Sequence, residues 1–171
     1  RIGETIARKL VAAFDCDISY HTRRKRTDVP WRHYADLVEM ARDVDYLVVI
    51  TPGGASTNKL IGRAAIEALG PEGTLINIAR GSVVDEKELV AALLDGRLGA
   101  AGLDVFADEP NVPPELFPLD NVVLLPHVGS ATVETRRAMG DLTVENLLRW
   151  FREGKVTTPV PECAHLPAAS R

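Results

Sequence analysis

Short apolar segments alternate along this chain with segments of helical periodicity, and this alternation constrains its fold more than any other feature. YLVVIT (46–51) and GTLINIA (73–79) are continuous, apolar and rich in β-branched residues, as strands buried on both faces are. The helical segments that follow them, residues 62–70 and 85–96, each end at a glycine. Strands that alternate with helices form βαβ units, so we expect an α/β fold with a doubly wound parallel sheet. The remaining predicted strands are CDISY (16–20), AAGLDVF (100–106) and NVVLLP (121–126), and the remaining predicted helices lie at the chain start, at 35–43 and at 130–154.

The composition is that of a soluble globular domain, and it excludes several classes of function. The chain has 171 residues, enough for one sizeable core, with 46% hydrophobic and 26% charged residues. Its formal net charge of −4 leaves no basic excess to neutralise phosphates, which argues against nucleic acid as a partner. No apolar run is long enough to cross a bilayer. Cys16 and Cys163 lie far apart, which argues against a disulfide framework or a metal site and favours a cytoplasmic location.

Polar and glycine-rich segments follow the predicted strands directly. In a parallel sheet, ligands bind at the carboxyl ends of the strands, which share one edge. We therefore expect the functional site at that edge, where the chemically distinctive residues gather. The segments concerned are HTRRKR (21–26), TPGG (51–54), NIARGS (77–82), DVFADEP (104–110) and PHVGSAT (126–132).

The chain opens on RIGETIARKL, in which a glycine precedes a helical apolar stripe. In a dinucleotide-binding fold the central first strand runs into G-x-G-x-x-G, whose third glycine opens a helix that receives the pyrophosphate. Gly3 fits that third glycine, and Arg1 and Ile2 fit the two variable positions before it. The first strand and the first two glycines of the motif are missing from this sequence. We therefore expect a fragment that is unstable and inactive by itself, because strands beside the gap would keep unpaired backbone groups.

These motifs together match a known family. The chain resembles the D-isomer-specific 2-hydroxyacid dehydrogenases, particularly their glyoxylate/hydroxypyruvate reductase branch. The resemblance covers almost all of residues 1–154 and implies a Rossmann-type dinucleotide-binding domain over 1–130, truncated at its start. It further implies a C-terminal helix (131–154) that joins an absent substrate domain, followed by a tail (155–171). The matching stretches are RIG, VVITPGGASTNKLIG, INIARGSVVDEKELVAALLDGRLGAAGLDVFADEP and NVVLLPHVGSATVETR.

The resemblance implies three catalytic residues, and each suits the reduction of a 2-keto acid. That reaction needs a hydride at C2 and a proton on the carbonyl oxygen. His127 is implied as the proton donor, because an imidazole exchanges protons near neutral pH. Glu109 is implied as its acidic partner, since a nearby negative charge favours the protonated ring. Arg80 is implied as the binder of the substrate carboxylate and carbonyl oxygen, for which its rigid fork of donors is suited.

The resemblance also implies cofactor contacts at the strand ends. Thr51 and Pro52 match the loop that passes under the cofactor, and Asp104 matches the position near the nicotinamide carboxamide. Ala79 and Gly129, inside the same motifs, complete the predicted contacts on this side.

The segment after the first predicted strand bears on the choice of cofactor. An NAD-specific site usually has a carboxylate there, which binds the ribose 2′-OH. Here no carboxylate occurs from residue 18 until Asp28, whereas Arg23 and Arg24 can pair with a 2′-phosphate and Thr22 can donate a hydroxyl. We therefore expect NADP(H) to be preferred, with NAD(H) possible. The alternative is a solvated basic loop with no ligand, as charged runs usually are.

The predicted function is reduction of a small 2-keto acid, of the glyoxylate or hydroxypyruvate type, to a D-2-hydroxy acid. An alternative is a dinucleotide-sensing regulatory protein, like the corepressors of the same superfamily. A relative that acts on formate or phosphoglycerate is a third, which the basic loop disfavours. Helix 130–154 is rich in apolar residues, and the family is usually dimeric through this domain, so we expect a homodimer. Its apolar residues are Val133, Met139, Leu142, Val144, Leu147, Leu148, Trp150 and Phe151.

Overall fold

The protein is described here from a computed structural model, which covers residues 2–163 and residue 165. The chain divides into two compact units, Arg1–Pro126 and His127–Arg171, called here the first and the second unit. The predicted pyrophosphate contact of Arg1 lies outside the described residues, as do residues 164 and 166–171 of the predicted tail.

The described residues contain six short strands and five α-helices. The strands are β1 (Ser19–His21), β2 (Arg32–Tyr34), β3 (Tyr46–Val49), β4 (Thr74–Asn77), β5 (Ala100–Leu103) and β6 (Val122–Leu124). The helices are α1 (Ile2–Phe14), α2 (Leu37–Arg42), α3 (Arg63–Leu69), α4 (Glu86–Leu94) and α5 (Val133–Glu153).

A four-stranded parallel sheet, in the order β3-β4-β5-β6, forms the centre of the first unit. Leu47 and Val49 of β3 and Leu75 of β4 are buried, as the continuous apolar pattern of these segments predicts. Helices α3 and α4 pack against each other, and Ile66 and Leu89 are their most deeply buried large residues. The predicted α/β fold with a parallel sheet is therefore confirmed.

Strands β1 and β2 form a separate parallel pair in the described part of the chain. Helix α1 begins close to the end of β3, since a Cβ on Gly3 would lie 3.4 Å from the Ile50 side chain. The start of α1 thus belongs to the same edge as the loop that follows β3.

Two details of the strand assignment differ from the sequence prediction. The sequence analysis predicts no strand between residues 21 and 34, but Arg32–Tyr34 pairs with β1. The predicted strands 73–79 and 100–106 end earlier, at Asn77 and Leu103. At these two residues the chain leaves the sheet and forms the turns described below.

The second unit is built on α5. Its N-terminus is capped by Thr132, whose hydroxyl accepts a hydrogen bond from the Thr135 N–H at 3.1 Å. Its C-terminus ends at Gly154 in the left-handed conformation. The chain then folds back, and the Asn146 side-chain oxygen accepts the N–H groups of Thr157 and Thr158.

None of the helices in the described part of the chain is both long and apolar enough to cross a membrane.

Candidate functional site

The carboxyl ends of the four central strands lie level with one another. Val49 of β3 is in register with Asn77 of β4, Asn77 with Leu103 of β5, and Leu103 with Leu124 of β6. The loops that follow these strands therefore leave the sheet at one edge. The predicted site residues on these loops are Thr51, Pro52, Ala79, Arg80, Asp104 and Glu109. This is the edge at which parallel sheets bind their ligands.

The turn after β4 is closed by the side chain of Asn77. This residue is 1% exposed, and its amide nitrogen donates to the carbonyl oxygen of Arg80 at 3.1 Å. Its side-chain oxygen accepts the N–H of Ala79, also at 3.1 Å. Both polar ends of a buried amide are thus satisfied within its own turn. Because this turn fixes the backbone at Ala79 and Arg80, Asn77 determines where the arginine leaves the sheet.

Sequence reasoning missed Asn77. The signal was present, because an amide side chain at the last position of an otherwise apolar strand needs hydrogen-bond partners and readily closes a turn.

The loop after β3 lies directly against Arg80. A Cβ on Gly53 would be 2.9 Å from the Cγ of Arg80, so only a glycine lets the arginine stem pass this closely. The Thr57 hydroxyl donates to the Pro52 carbonyl oxygen at 2.7 Å and closes this loop on itself. The structure thus brings Thr51 and Pro52, in the loop after β3, next to the turn that carries Arg80.

The loop after β5 packs against the same turn. A Cβ on Gly81 would lie 2.0 Å from the carbonyl carbon and oxygen of Phe106, so the two backbones are in direct contact. The N–H of Asp104 donates to the Asn77 carbonyl oxygen at 3.0 Å, and Asp104 is 5% exposed. Glu109 folds back over its own loop, where a carboxylate oxygen accepts the Phe106 N–H at 3.1 Å. Arg80, Asp104 and Glu109 are therefore carried by neighbouring loops of one edge.

An ion pair joins the segment before α3 to the start of α4. The Lys59 amine lies 3.0 Å from a carboxylate oxygen of Asp85, which directly precedes α4. The hydrogen bond from Lys59 lowers the pKa of Asp85 below its ordinary value. The backbone between them is also joined, because Ile61 donates to Val83 and Asp85 donates to Ile61.

His127 and Gly129 lie at the start of the second unit. His127 has a positive φ of 55°, in the left-handed region that a residue with a Cβ rarely adopts. Such a conformation costs about 1–2 kcal/mol, and conformations of this kind cluster at functional sites.

The loop after β1 contains the predicted 2′-phosphate residues. Thr22 is engaged locally, since its hydroxyl donates to the Arg24 carbonyl oxygen at 2.7 Å. The side chains of Arg23, Arg24 and Lys25 are exposed, and none of them forms an ion pair with a described residue. Arg26, by contrast, is paired with Glu4 and Asp28. The loop therefore presents three uncompensated cations and one neutralised one, a distinction that the sequence does not reveal.

No group of three or more side chains able to hold a metal ion occurs within the described ranges.

Comparison with known proteins identifies the family. Residues 1–129 match the family described as D-isomer specific 2-hydroxyacid dehydrogenase, NAD binding domain. The chain belongs to the D-isomer specific 2-hydroxyacid dehydrogenases. The resemblance inferred from the sequence motifs is thereby confirmed.

Curated relatives within this family are reductases by name. Over 160 residues the chain is 54% identical to the hydroxyphenylpyruvate reductase of Plectranthus scutellarioides, covering 94% of this chain and 51% of that protein. It is 52% identical to glyoxylate/hydroxypyruvate reductase A of Arabidopsis thaliana, with the same coverage of both. The chain thus spans about half the length of the curated relatives it matches.

A solved reductase structure is about as similar in sequence as these relatives. An NADPH-dependent glyoxylate/hydroxypyruvate reductase from Sinorhizobium meliloti, crystallised with NADP and malonate, superposes with a TM-score of 0.90. Identity is 53%, and the match covers 94% of this chain and 50% of that one.

Proposed function

We propose that the protein reduces a small 2-keto acid, of the glyoxylate or hydroxypyruvate type, to a D-2-hydroxy acid, and that it prefers NADPH as the cofactor. The observation that carries this proposal is Arg80, an exposed cation at the strand-end edge between a glycine loop and the loop of Asp104 and Glu109. Relatives with more than half of their aligned residues identical are named as reductases of glyoxylate and hydroxypyruvate or of hydroxyphenylpyruvate, which favours an enzyme over the dinucleotide-sensing alternative.

The residues of this chain fit a phosphorylated dinucleotide. Arg23 and Arg24 would pair with the 2′-phosphate, beside the hydroxyl of Thr22. The nearest carboxylate in the sequence, Asp28, is neutralised by Arg26 and would not repel that phosphate. NAD(H), which lacks the phosphate, would bind more weakly.

Other residues would hold the remaining parts of the cofactor. Those proposed for the pyrophosphate are Arg1 and Ile2, at the start of the α1 sequence, where backbone N–H groups would face the anion. Those proposed for the nicotinamide end and the loop beneath it are Thr51, Pro52, Ala79, Asp104 and Gly129. When bound, the cofactor supplies the hydride that C2 of the keto acid accepts.

The proposed catalytic residues act on the substrate itself. Arg80 binds the carboxylate and the carbonyl oxygen with its donor fork and orients C2. His127 gives its proton to the carbonyl oxygen as C2 accepts the hydride, so the product hydroxyl is formed and the ring is left neutral. Glu109 holds the ring in its protonated form before the reaction. Arg80 thus orients the substrate and Glu109 keeps the ring of His127 protonated before the reaction, whereas His127 acts during the proton transfer.

The first test is cofactor oxidation by the full-length polypeptide that carries this chain. We expect NADPH to be oxidised with glyoxylate or hydroxypyruvate, and at a lower KM than NADH. Binding of both dinucleotides with no turnover of either acid would instead support the sensing alternative.

Removal of the basic side chains should weaken the preference for NADPH. In Arg23→Ala and Arg24→Ala, we expect the KM for NADPH to rise about tenfold to a hundredfold, because each variant loses charge-assisted hydrogen bonds. The phosphate is remote from the hydride, so kcat should change little. NADH kinetics should also stay near wild type, as should both cofactors in the control Arg42→Ala, an exposed arginine of α2. A preference for NADPH that survives both loop variants would mean that the loop is only a solvated surface.

We also propose a cytoplasmic homodimer. Support comes from α5, whose apolar side chains are exposed within the second unit, Trp150 and Phe151 among them. So much exposed apolar surface on one helix is typical of an interface. Light scattering should give twice the mass of the full-length polypeptide, and a monomer mass would contradict the proposal.

A further inference from the structure

Arg26 joins the loop after β1 to the first turn of α1. Its guanidinium donates through Nε to an oxygen of Asp28 at 2.9 Å and through Nη2 to the second oxygen. The same Nη2 lies 2.9 Å from an oxygen of Glu4, in the first turn of α1. The other Glu4 oxygen accepts from Arg8 at 2.9 Å. Glu4 and Arg26 are 22 residues apart in sequence, so this contact connects two separate elements.

The backbone of Arg26 is fixed as firmly as its side chain. Its N–H donates to the Tyr20 hydroxyl at 2.9 Å, and that hydroxyl donates to the Arg26 carbonyl oxygen at 3.2 Å. Residues 22–25, which include the proposed 2′-phosphate residues, therefore lie in a loop closed at its base by Tyr20 and Arg26. Any shift of Arg26 relative to α1 would move that loop with it.

Both carboxylates of this cluster are ionised at neutral pH. Hydrogen bonds from Arg26, and secondarily from Arg8, lower the pKa of Glu4. The hydrogen bond from Arg26 lowers the pKa of Asp28 to about 2. The same carboxylates raise the pKa of Arg26. The Nε and Nη2 donors of Arg26 are thus already bound to anions, which distinguishes this residue from its exposed neighbours Arg23 and Arg24.

We propose that the Arg26–Glu4 pair is a positioning bridge that sets the separation between the 2′-phosphate loop and the start of α1, and so contributes to selection of NADP over NAD. The inference rests on the proposed function, because it takes the loop to bind the 2′-phosphate and the helix start to bind the pyrophosphate. A dinucleotide joins these two groups covalently, at a span that its own geometry limits. Contacts to both groups add fully to affinity only when the two protein sites are held at that span. NAD lacks the 2′-phosphate and is therefore indifferent to the position of the loop.

The test compares ligands that do and do not span the two sites. Dissociation constants for NADP⁺, NAD⁺ and 2′-AMP are measured by calorimetry with the full-length polypeptide and its Glu4→Gln and Arg26→Gln variants. We expect the preference for NADP⁺ over NAD⁺ to fall about three- to tenfold in each variant, as expected for the loss of preorganisation. Binding of 2′-AMP should stay unchanged in Glu4→Gln, since this ligand carries the 2′-phosphate but no pyrophosphate. In Arg26→Gln it should weaken, because Asp28 loses the cation that neutralises it. The double variant should lose no more of the preference than Arg26→Gln, because the Arg26–Glu4 contact is already absent from that variant.

Arg97 provides a matched control. It has the same arrangement as Arg26, with an aspartate two residues away, Asp95, at 2.9 Å and a helix glutamate, Glu67, at 3.0 Å. Arg97→Gln therefore removes an equivalent ion-pair cluster elsewhere, and we expect it to leave the cofactor preference unchanged.

The outcomes separate the bridge from the proposed function. A wild-type protein that binds NAD⁺ more tightly than NADP⁺ overturns the proposed cofactor preference and the bridge with it. A wild-type preference for NADP⁺ that survives both Glu4→Gln and Arg26→Gln overturns the bridge alone. A change of 2′-AMP binding in Glu4→Gln, in either direction, also overturns the bridge, because the pair would then act on the 2′-phosphate site itself and not on its separation from α1.

Discussion

Replacing His127 by asparagine should lower kcat for glyoxylate reduction in the full-length polypeptide by about 10²- to 10⁴-fold, the usual contribution of a positioned acid. Asparagine keeps a polar side chain of similar reach, and asparagine is also among the residues that best tolerate the positive φ observed at this position. The backbone should therefore be retained while the transferable proton is lost. The measurement is steady-state NADPH oxidation, together with NADP⁺ binding, which should remain near wild type. A variant with wild-type kcat would mean that another group supplies the proton.

Glu109→Gln should give a smaller change of a different kind. In the proposed mechanism this carboxylate favours the protonated imidazole of His127, so without it the proton donor should disappear at lower pH. The high-pH limb of the reductive pH–rate profile should accordingly move to lower pH. Glu115→Gln, which alters an exposed carboxylate in the same region of sequence, is the control and should leave the profile in place. An upper limb that does not move would assign Glu109 another role.

Gly81→Ala should destabilise the first unit by about 3 kcal/mol or more, at the upper end for overpacking. The added Cβ would lie 2.0 Å from the Phe106 backbone, and no rotamer change can relieve a contact between main chains. Urea unfolding of the full-length polypeptide measures the effect. Gly102→Ala is the matched control, because its Cβ would meet only the Ile76 side chain, at 3.8 Å. We expect that control to stay within about 1 kcal/mol of wild type.

Equal stability of the two glycine variants would contradict the close packing of the loops after β4 and β5. If Gly81→Ala still folds, the separation of these loops should displace Arg80, and the KM for the keto acid should rise. Gly102→Ala should leave that KM unchanged.

The buried strands were predictable because periodicity records burial directly. The continuous apolar runs at 46–51 and 73–79 each contain an observed strand of the central sheet. Strand β2 was not predictable in this way, since Arg-His-Tyr carries no apolar run and its pairing with β1 depends on a partner 13 residues away. The signal for a strand weakens when its stabilisation comes from a neighbour rather than from its own side chains.

The candidate site residues likewise divide into those predictable from local sequence and those that depend on distant contacts. The predicted order of strands and loops placed Arg80, Asp104 and Glu109 at one edge of the sheet, while their proposed roles came from the family resemblance. The sequence did not distinguish Arg26 from Arg23 and Arg24, since four adjacent cations look alike until the position of Glu4 is known. Which cation is neutralised depends on contact between α1 and the loop, and such contacts leave no local pattern.

The turn that carries Arg80 has a consequence for the order of folding events. Every side-chain hydrogen bond of Asn77 reaches a residue no more than three positions away, so closing this turn orders very little chain. Contacts of such short range form on a timescale of about 100 ns or less, well before distant strands have met. The conformation that directs the arginine can therefore be sampled before the parallel sheet exists. Burial of Asn77 in the completed sheet then excludes water from its amide and stabilises that conformation of the turn.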